Sequence, residues 1–289
     1  MHDDVALVDM TSREPTLTHV IPGRKPVGGV TSLGDDVFVM RRNSRQIEVY
    51  DAVTFTLRRC LAVPQLGLQH YGLAVCPSNK CLYASDWDNN SVHRVELTGS
   101  NAVMQWSVAR RPTGLTVNRA QNLLVVSHSE CKLQEFTTHG TLLSNVQLQL
   151  HNGRPWHAID LTNGQFVVSF RGPMHGVRLV GDKGAVIASH GGQRGGLSSL
   201  TEMNHPAHLA VDKHGNILVA DELNHRMVVL NRSLSSVHHH KMPYGGYPNN
   251  PYSIWHDKSR DRLYIGDCGG GRVIVIDSVK DFSKPTSQI

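Results

Sequence analysis

Six short apolar segments of this chain open on a similar phrase, and that repetition constrains the fold more than any other property. The segments are Gly29-Val30-Thr31, Tyr71-Gly72-Leu73-Ala74-Val75, Pro112-Thr113-Gly114-Leu115-Thr116-Val117, Pro155-Trp156-His157-Ala158-Ile159, Pro206-Ala207-His208-Leu209-Ala210-Val211 and Pro251-Tyr252-Ser253-Ile254-Trp255. Equivalent positions fall at 29, 72, 114, 157, 208 and 253, so successive steps are 43, 42, 43, 51 and 45 residues. A period of about 40–50 residues built from short strands is the signature of a β-propeller.

Each unit repeats one order of events. A short apolar strand such as Leu209–Val211 is followed by the polar turn Asp212-Lys213-His214-Gly215-Asn216. A second strand, Ile217-Leu218-Val219-Ala220, ends on Asp221, and a third, Met227-Val228-Val229-Leu230, follows a polar turn. A fourth, more polar strand closes the unit. The runs are β-branched and separated by Gly, Asn and Asp, and no helical periodicity is sustained. The second strands align as Val37–Met40, Leu82–Ser85, Leu124–Ser127, Phe166–Ser169, Ile217–Ala220 and Leu263–Gly266. The expected architecture is all-β: six blades of four antiparallel strands in one domain spanning 1–289. The last blade lacks a fourth strand of its own, and Thr16-Leu17-Thr18-His19-Val20-Ile21 fits the gap. Pairing it there closes the ring and leaves no open end in the circle of blades. Val5-Ala6-Leu7-Val8 also reads as a strand, and Lys280–Ile289 as a loose tail.

Composition narrows the class. Among 289 residues, 39% are hydrophobic and 18% charged, which suits a soluble all-β protein better than a disordered one. No apolar run approaches the roughly 18–20 residues of a membrane-spanning helix. Met1-His2-Asp3-Asp4 is not a basic segment leading into an apolar one, so a cytoplasmic location is expected. The five cysteines, Cys60, Cys76, Cys81, Cys131 and Cys268, do not form a disulfide framework. Cys76 and Cys81 flank a turn that can bring them face to face, but buried reduced thiols are the expectation. A net charge of +5 permits an acidic or nucleic-acid partner without demanding one.

The segment from Val219 to Leu230, VADELNHRMVVL, closely resembles the NHL repeat motif. Ala84-Ser85-Asp86-Trp87-Asp88-Asn89-Asn90-Ser91-Val92 is similar, and Ile265-Gly266-Asp267 with Arg272-Val273-Ile274-Val275 is a weaker copy. The first, third and fourth units carry Arg41, His128 and Phe170 where that family usually has Asp. NHL domains are six-bladed propellers that often follow RING, B-box and coiled-coil segments in tripartite-motif proteins; none of those segments is present in this sequence. Some bind RNA on the face around the channel mouth, and the resemblance implies the same option. The acids ending the second strands, Asp86, Asp221 and Asp267, are expected to accept backbone N–H bonds in the following turn, with Arg226 and Arg272 placed to pair with them.

In a propeller, the loops leading into the first strand and those joining the second and third share one face. On that face the sequence collects Arg24, Lys25, Arg110, Arg111 and Arg154 from the first set, and Arg41, Arg42, Arg45, Lys132 and Arg171 from the second. Tyr71, Trp156 and Tyr252, with Trp87 nearby, interleave aromatic rings. Phosphates need cations and unstacked bases need flat partners, and a protein or peptide partner can use the same face. The expected function is therefore non-catalytic recognition of a protein, a peptide or single-stranded RNA. Arg41, Arg42, Arg111 and Arg171 are the expected cationic contacts, and Tyr71, Trp156 and Tyr252 the anchoring rings. A structural scaffold that binds along the blade sides is an alternative.

A third reading is a metal-dependent lyase or hydrolase working in the central channel. His157 and His208 occupy equivalent positions and would be its first ligands. An NHL-like relative, the peptide-amidating lyase, holds zinc in its channel through histidines that follow the leading proline directly. Here those places hold Thr113, Trp156, Ala207 and Tyr252, and catalytic zinc normally takes three protein ligands. No metal or other cofactor is expected. His238-His239-His240 is expected on an outer strand, and no phosphate loop or nucleophile motif is present.

Overall fold

The computed structural model describes residues 17–150, 153–161, 164–192, 202–235, 237–241 and 250–277. Val5–Val8, the tail from Lys280 and the glycine-rich stretch beyond Gly192 lie outside them. Strand β1 (Leu17–Ile21) comes first. Blade one is β2 (Val27–Leu33), β3 (Asp36–Arg41), β4 (Gln46–Asp51) and β5 (Leu57–Ala62); blade two is β6 (Leu73–Cys76), β7 (Cys81–Asp86), β8 (Ser91–Glu96) and β9 (Val103–Ser107). Blade three is β10 (Pro112–Val117), β11 (Leu123–Ser127), β12 (Lys132–Phe136) and β13 (Leu142–Gln147); blade four is β14 (Arg154–Asp160), β15 (Phe166–Arg171), β16 (Gly176–Val180) and β17 (Val186–Gly191). Blade five is β18 (Pro206–Val211), β19 (Ile217–Asp221), β20 (Arg226–Leu230) and β21 (Val237–Lys241), so His238–His240 lie on an outermost strand. Blade six is β22 (Pro251–Asp257), β23 (Arg262–Asp267), β24 (Val273–Asp277) and β1.

β1 pairs antiparallel with β24, Ile21 opposite Val273 and Val20 opposite Ile274, so the N-terminal strand completes the last blade. The innermost strands β2, β6, β10, β14, β18 and β22 touch one another in a closed circle. Strands near the axis are buried almost throughout, whereas β5, β9 and β13 are largely exposed. That gradient explains why the fourth strand of a unit can be polar.

The core does not sit at the centre. It is divided into interfaces between neighbouring blades, because each sheet must cover two faces. Phe38, Met40, Ile47 and Val49 of blade one pack against Leu73, Val75 and Leu82 of blade two. Leu124, Val126 and Leu133 of blade three meet Ala158, Val168 and Phe170 of blade four. Ile21 joins Val27, Val37 and Val273 where blade six meets blade one.

The position ending each second strand holds the lead-in loop to the turn that follows. Asp86 Oδ2 accepts the Gly67 N–H at 2.9 Å while Oδ1 accepts that of Asn89 at 3.0 Å. Asp221 takes the Asn204 N–H at 2.8 Å and Asp267 the Asn250 N–H at 2.9 Å. Arg226 and Arg272 reach the same two carboxylates at 2.7 and 3.1 Å. In blade three the residue in this place is Ser127, one position earlier than the sequence alignment puts it. Ser127 faces Pro112 in the ladder as Asp221 faces Pro206, and its hydroxyl donates to the Arg110 carbonyl at 2.7 Å. Blade one inverts the polarity: Arg41 stands in this place and donates to the carbonyls of Pro22, Lys25 and Gly271. Gly23 leaves the room, since a Cβ there would lie 2.1 Å from the guanidinium. Blade four uses packing alone, with Phe170 against Gly153.

Candidate functional site

Two rings of equivalent residues meet at the channel mouth. The residue after each second-strand terminus gives Arg42, Trp87, His128, Arg171, Glu222 and Cys268 in order around the axis. The residue before each repeat position gives Gly28, Tyr71, Thr113, Trp156, Ala207 and Tyr252, so the second ring alternates small and large. Six bulky rings cannot share a channel of this width; three in alternate blades can. The Tyr71 and Trp156 centroids lie 5.2 Å apart, Trp156 and Tyr252 6.2 Å, and Tyr71 and Tyr252 6.4 Å. The Trp156 Nε1–H donates to the Tyr252 hydroxyl at 3.0 Å. Trp87 and His128 pack edge-on and tilted against this trio. The rings stop the channel: Tyr252 is fully buried and Trp156 only 8% exposed.

Guanidinium groups lie over the stopper. Arg42 is 4.4 Å from the Tyr252 centroid and 4.9 Å from that of Tyr71. Arg171 is 4.0 Å from Trp156, and Arg111 is 5.1 Å from Trp87. These distances suit cation–π attraction. Arg171 also bonds the Pro206 carbonyl at 3.1 Å and Glu222 at 2.9 Å. Burial pulls the Arg171 pKa down, against the pull of Glu222. Burial also works against the charge on Arg42, but Tyr252, Cys268, Tyr71 and Glu222 together outweigh it and its pKa is raised. The His128 imidazole is driven down to about 4 by burial and by Arg154, Arg111 and Arg171, so it is neutral at pH 7. A shallow depression of about 600 Å³ beside Trp156 and Arg171 is edged by His128, Pro173 and His205.

Of the residues singled out in the sequence, Arg42, Tyr71, Trp156, Arg171 and Tyr252 form one cluster and Arg111 sits at its edge. Arg41 does not join them. It is 4% exposed, paired with Glu48 at 2.7 Å and committed to backbone carbonyls, because it occupies the place of the anchoring acid. The sequence also placed Glu222 on this face, whereas His128 and Cys268 were not read as part of it; their shared place in the repeat was the available signal, hidden for His128 by the one-residue offset in blade three.

Below the stopper the channel is open. A cavity of about 500 Å³ runs from it to the turns between first and second strands, on the face opposite the stoppered mouth. Its inner end is formed by His157 and His208, stacked at 4.5 Å. His157 Nδ1 accepts the Leu209 N–H at 3.3 Å and Nε2 faces the Leu115 carbonyl at 3.2 Å, which fixes the neutral Nε2–H form. His208 Nε2 lies 2.7 Å from the Tyr71 carbonyl. Burial lowers the His157 pKa to about 4, and burial with His157 alongside lowers His208 well below its ordinary value. Among the described residues no group of three or more His, Cys, Asp or Glu side chains is placed to hold a metal ion, and no helix is long and apolar enough to cross a membrane.

The geometry defines a six-bladed β-propeller stoppered at one end. No family model matches the chain, and no curated protein does. Solved structures share the fold. Kuenenia stuttgartiensis hydrazine synthase superposes with a TM-score of 0.65 at 16% identity, covering 94% of this chain and 80% of that one. A catalytically inactive virginiamycin B lyase from Staphylococcus aureus with quinupristin gives 0.62 at 10% identity over 90% and 87% of the two chains. A streptogramin B lyase gives 0.61 at 11% over 89% and 97%. At such identities the likeness carries the fold and nothing further.

Proposed function

We propose that this propeller is a non-catalytic recognition module whose mouth face binds an acidic segment of a protein or peptide. The observation that carries this reading is the set of three guanidinium groups, Arg42, Arg111 and Arg171, held over aromatic rings with one carboxylate, Glu222, among them. The rings hold the cations in place and shield them from water on one side, which strengthens their attraction for an incoming carboxylate. Exposed Arg110 and Arg154 extend the same charge outward. The likeness of the Asp86 and Asp221 segments to NHL repeats agrees with a binding role.

Single-stranded RNA fits less well, because Trp156 and Tyr252 are buried and base stacking needs open ring faces. The enzymatic reading has less support too, since both nitrogens of His157 are engaged with the backbone. The test is a binding titration of the intact chain with a glutamate-rich peptide and with a single-stranded oligouridine, at low and high salt. Arg42→Gln with Arg111→Gln is expected to weaken the peptide at least about tenfold at low salt. Equal affinity in wild type and variant would overturn the reading, and tighter binding of the oligonucleotide would transfer the face to RNA.

A further inference from the structure

The channel below the stopper is a second site, independent of the mouth. Every blade contributes branched aliphatic side chains to its wall, among them Val30, Leu73, Leu115, Ile159, Leu209 and Ile254. Each keeps between 2% and 5% of its surface exposed, although the interfaces behind them hold many residues at 0%. They pack into the blade interfaces and leave one margin open to the shaft. About 500 Å³ lies within the range of pockets for small organic molecules, and the inner end, closed by two neutral imidazoles, offers no charge to an ion.

The outer end is charged. Arg119, Lys258 and Arg232 stand exposed around it, and among the described residues no carboxylate is in ion-pair contact with any of them. Two acids share the rim. Asp257 is already saturated by the Ser32 hydroxyl at 2.9 Å and the Ser259 hydroxyl at 2.6 Å, with Arg260 beside it. Asp160 is half-buried; burial raises its pKa, against the Arg119 N–H it accepts and the Arg119 charge, so it offsets part of one rim cation. The rim thus presents an excess of positive charge above an apolar shaft.

We propose that the blind channel binds a small amphipathic monoanion, an apolar carboxylate or sulfonate, with its hydrocarbon end toward His157 and His208 and its anionic head among Arg119, Lys258 and Arg232. The shaft supplies affinity by removing apolar surface from water. The rim cations set the polarity of insertion and discriminate against neutral analogues of the same size.

Fluorescence titration of the intact chain with 1-anilinonaphthalene-8-sulfonate, and with neutral 1-aminoanthracene, tests this. Saturable binding of the sulfonate at one molecule per chain is expected. Arg119→Glu with Lys258→Glu, both on exposed turns, is expected to weaken the sulfonate at least about tenfold and the neutral probe less than about twofold. Ala210→Trp, which fills the shaft, is expected to abolish both. Absence of saturable sulfonate binding, or sulfonate binding unchanged by the charge reversals, overturns the proposal. Sulfonate binding lost instead in Arg42→Gln with Arg111→Gln overturns it equally, since that result places the probe at the mouth.

Discussion

Trp156 and Tyr252 are 96 residues apart in the chain and joined by a 3.0 Å hydrogen bond across the axis of the ring. The bond ties blade four to blade six over the small Ala207 of blade five. Tyr252→Phe keeps the ring and removes the acceptor, leaving a buried indole N–H unsatisfied. A loss of about 1–2 kcal/mol is expected, read as a lower urea midpoint with unchanged slope. An unaltered midpoint would mean that water replaces the hydroxyl and that the stopper is looser than its packing implies.

Arg41 and Arg111 separate structure from recognition. Arg41→Met leaves three carbonyls without their donor and Glu48 with only the Tyr50 hydroxyl, and breaking such a buried set costs about 3–5 kcal/mol. Arg111→Gln is an exposed change expected to stay within about 0.5 kcal/mol. Thermal unfolding of the two variants checks the contrast; equal Tm values would sink the assignment of Arg41 as an anchor.

Buried imidazoles make the fold acid-sensitive, His128, His157 and His208 foremost, with His70, His190 and His256 lowered in the same direction. His128 and His157 titrate at about 4 and His208 lies well below its ordinary value, all three mainly through burial. Unfolded histidines titrate near about 6.5. Between these limits the unfolded state binds more protons. Stability is therefore full above about pH 6.5 and lost as pH falls toward about 4, at about 1.4 kcal/mol per pH unit for each proton. For His157 alone the depression corresponds to about 3 kcal/mol. Urea midpoints from neutral pH down to about 4.5 are expected to fall, and less steeply in His128→Gln; a flat profile would rule the mechanism out.

The repeat position itself is Gly29, Gly72 and Gly114 in the first three blades, because neighbouring inner strands approach closely there. A Cβ at Gly114 would lie 2.4 Å from His157 Cδ2, and one at Gly72 2.3 Å from the Thr113 carbonyl oxygen. The carbonyl is backbone and cannot swing aside. Gly72→Ala is expected to destabilise by about 1–3 kcal/mol, measured by denaturant unfolding, with the anionic probe of the channel as a second readout.

Cys76 and Cys81 face each other directly across the hairpin of blade two, both buried and both free thiols. Burial raises the Cys81 pKa. Cys60 is exposed on β5. A thiol reagent is expected to label Cys60 first and to reach Cys76 and Cys81 only on unfolding. Fast native labelling of either would show that the blade opens locally.

The repeat made the blades legible because the sheet pattern of one unit is spelled six times. Even ring closure could be read, since blade six was one strand short and 16–21 was spare. The positions of Tyr71, Trp156 and Tyr252 were also readable, but not their burial. Exposure depends on what stands opposite, and the small partners Gly28, Thr113 and Ala207 carry no chemical mark of their own. Arg41 misled for a related reason: a guanidinium serves a ring of carbonyls as well as a carboxylate serves a ring of N–H groups, so its charge looked like a surface property. The cavity escaped altogether. Its wall is aliphatic, and a channel-facing Leu reads like any core Leu.

The pairing of β1 with β24 carries a mechanical consequence. Leu17 stands opposite Ile276 and Ile21 opposite Val273, so the start of β1 and the end of β24 lie side by side. A load pulling those two strand ends apart meets the backbone bonds one pair at a time, beginning at Leu17 and Ile276, and opens the sheet like a zipper. That seam bears the load first.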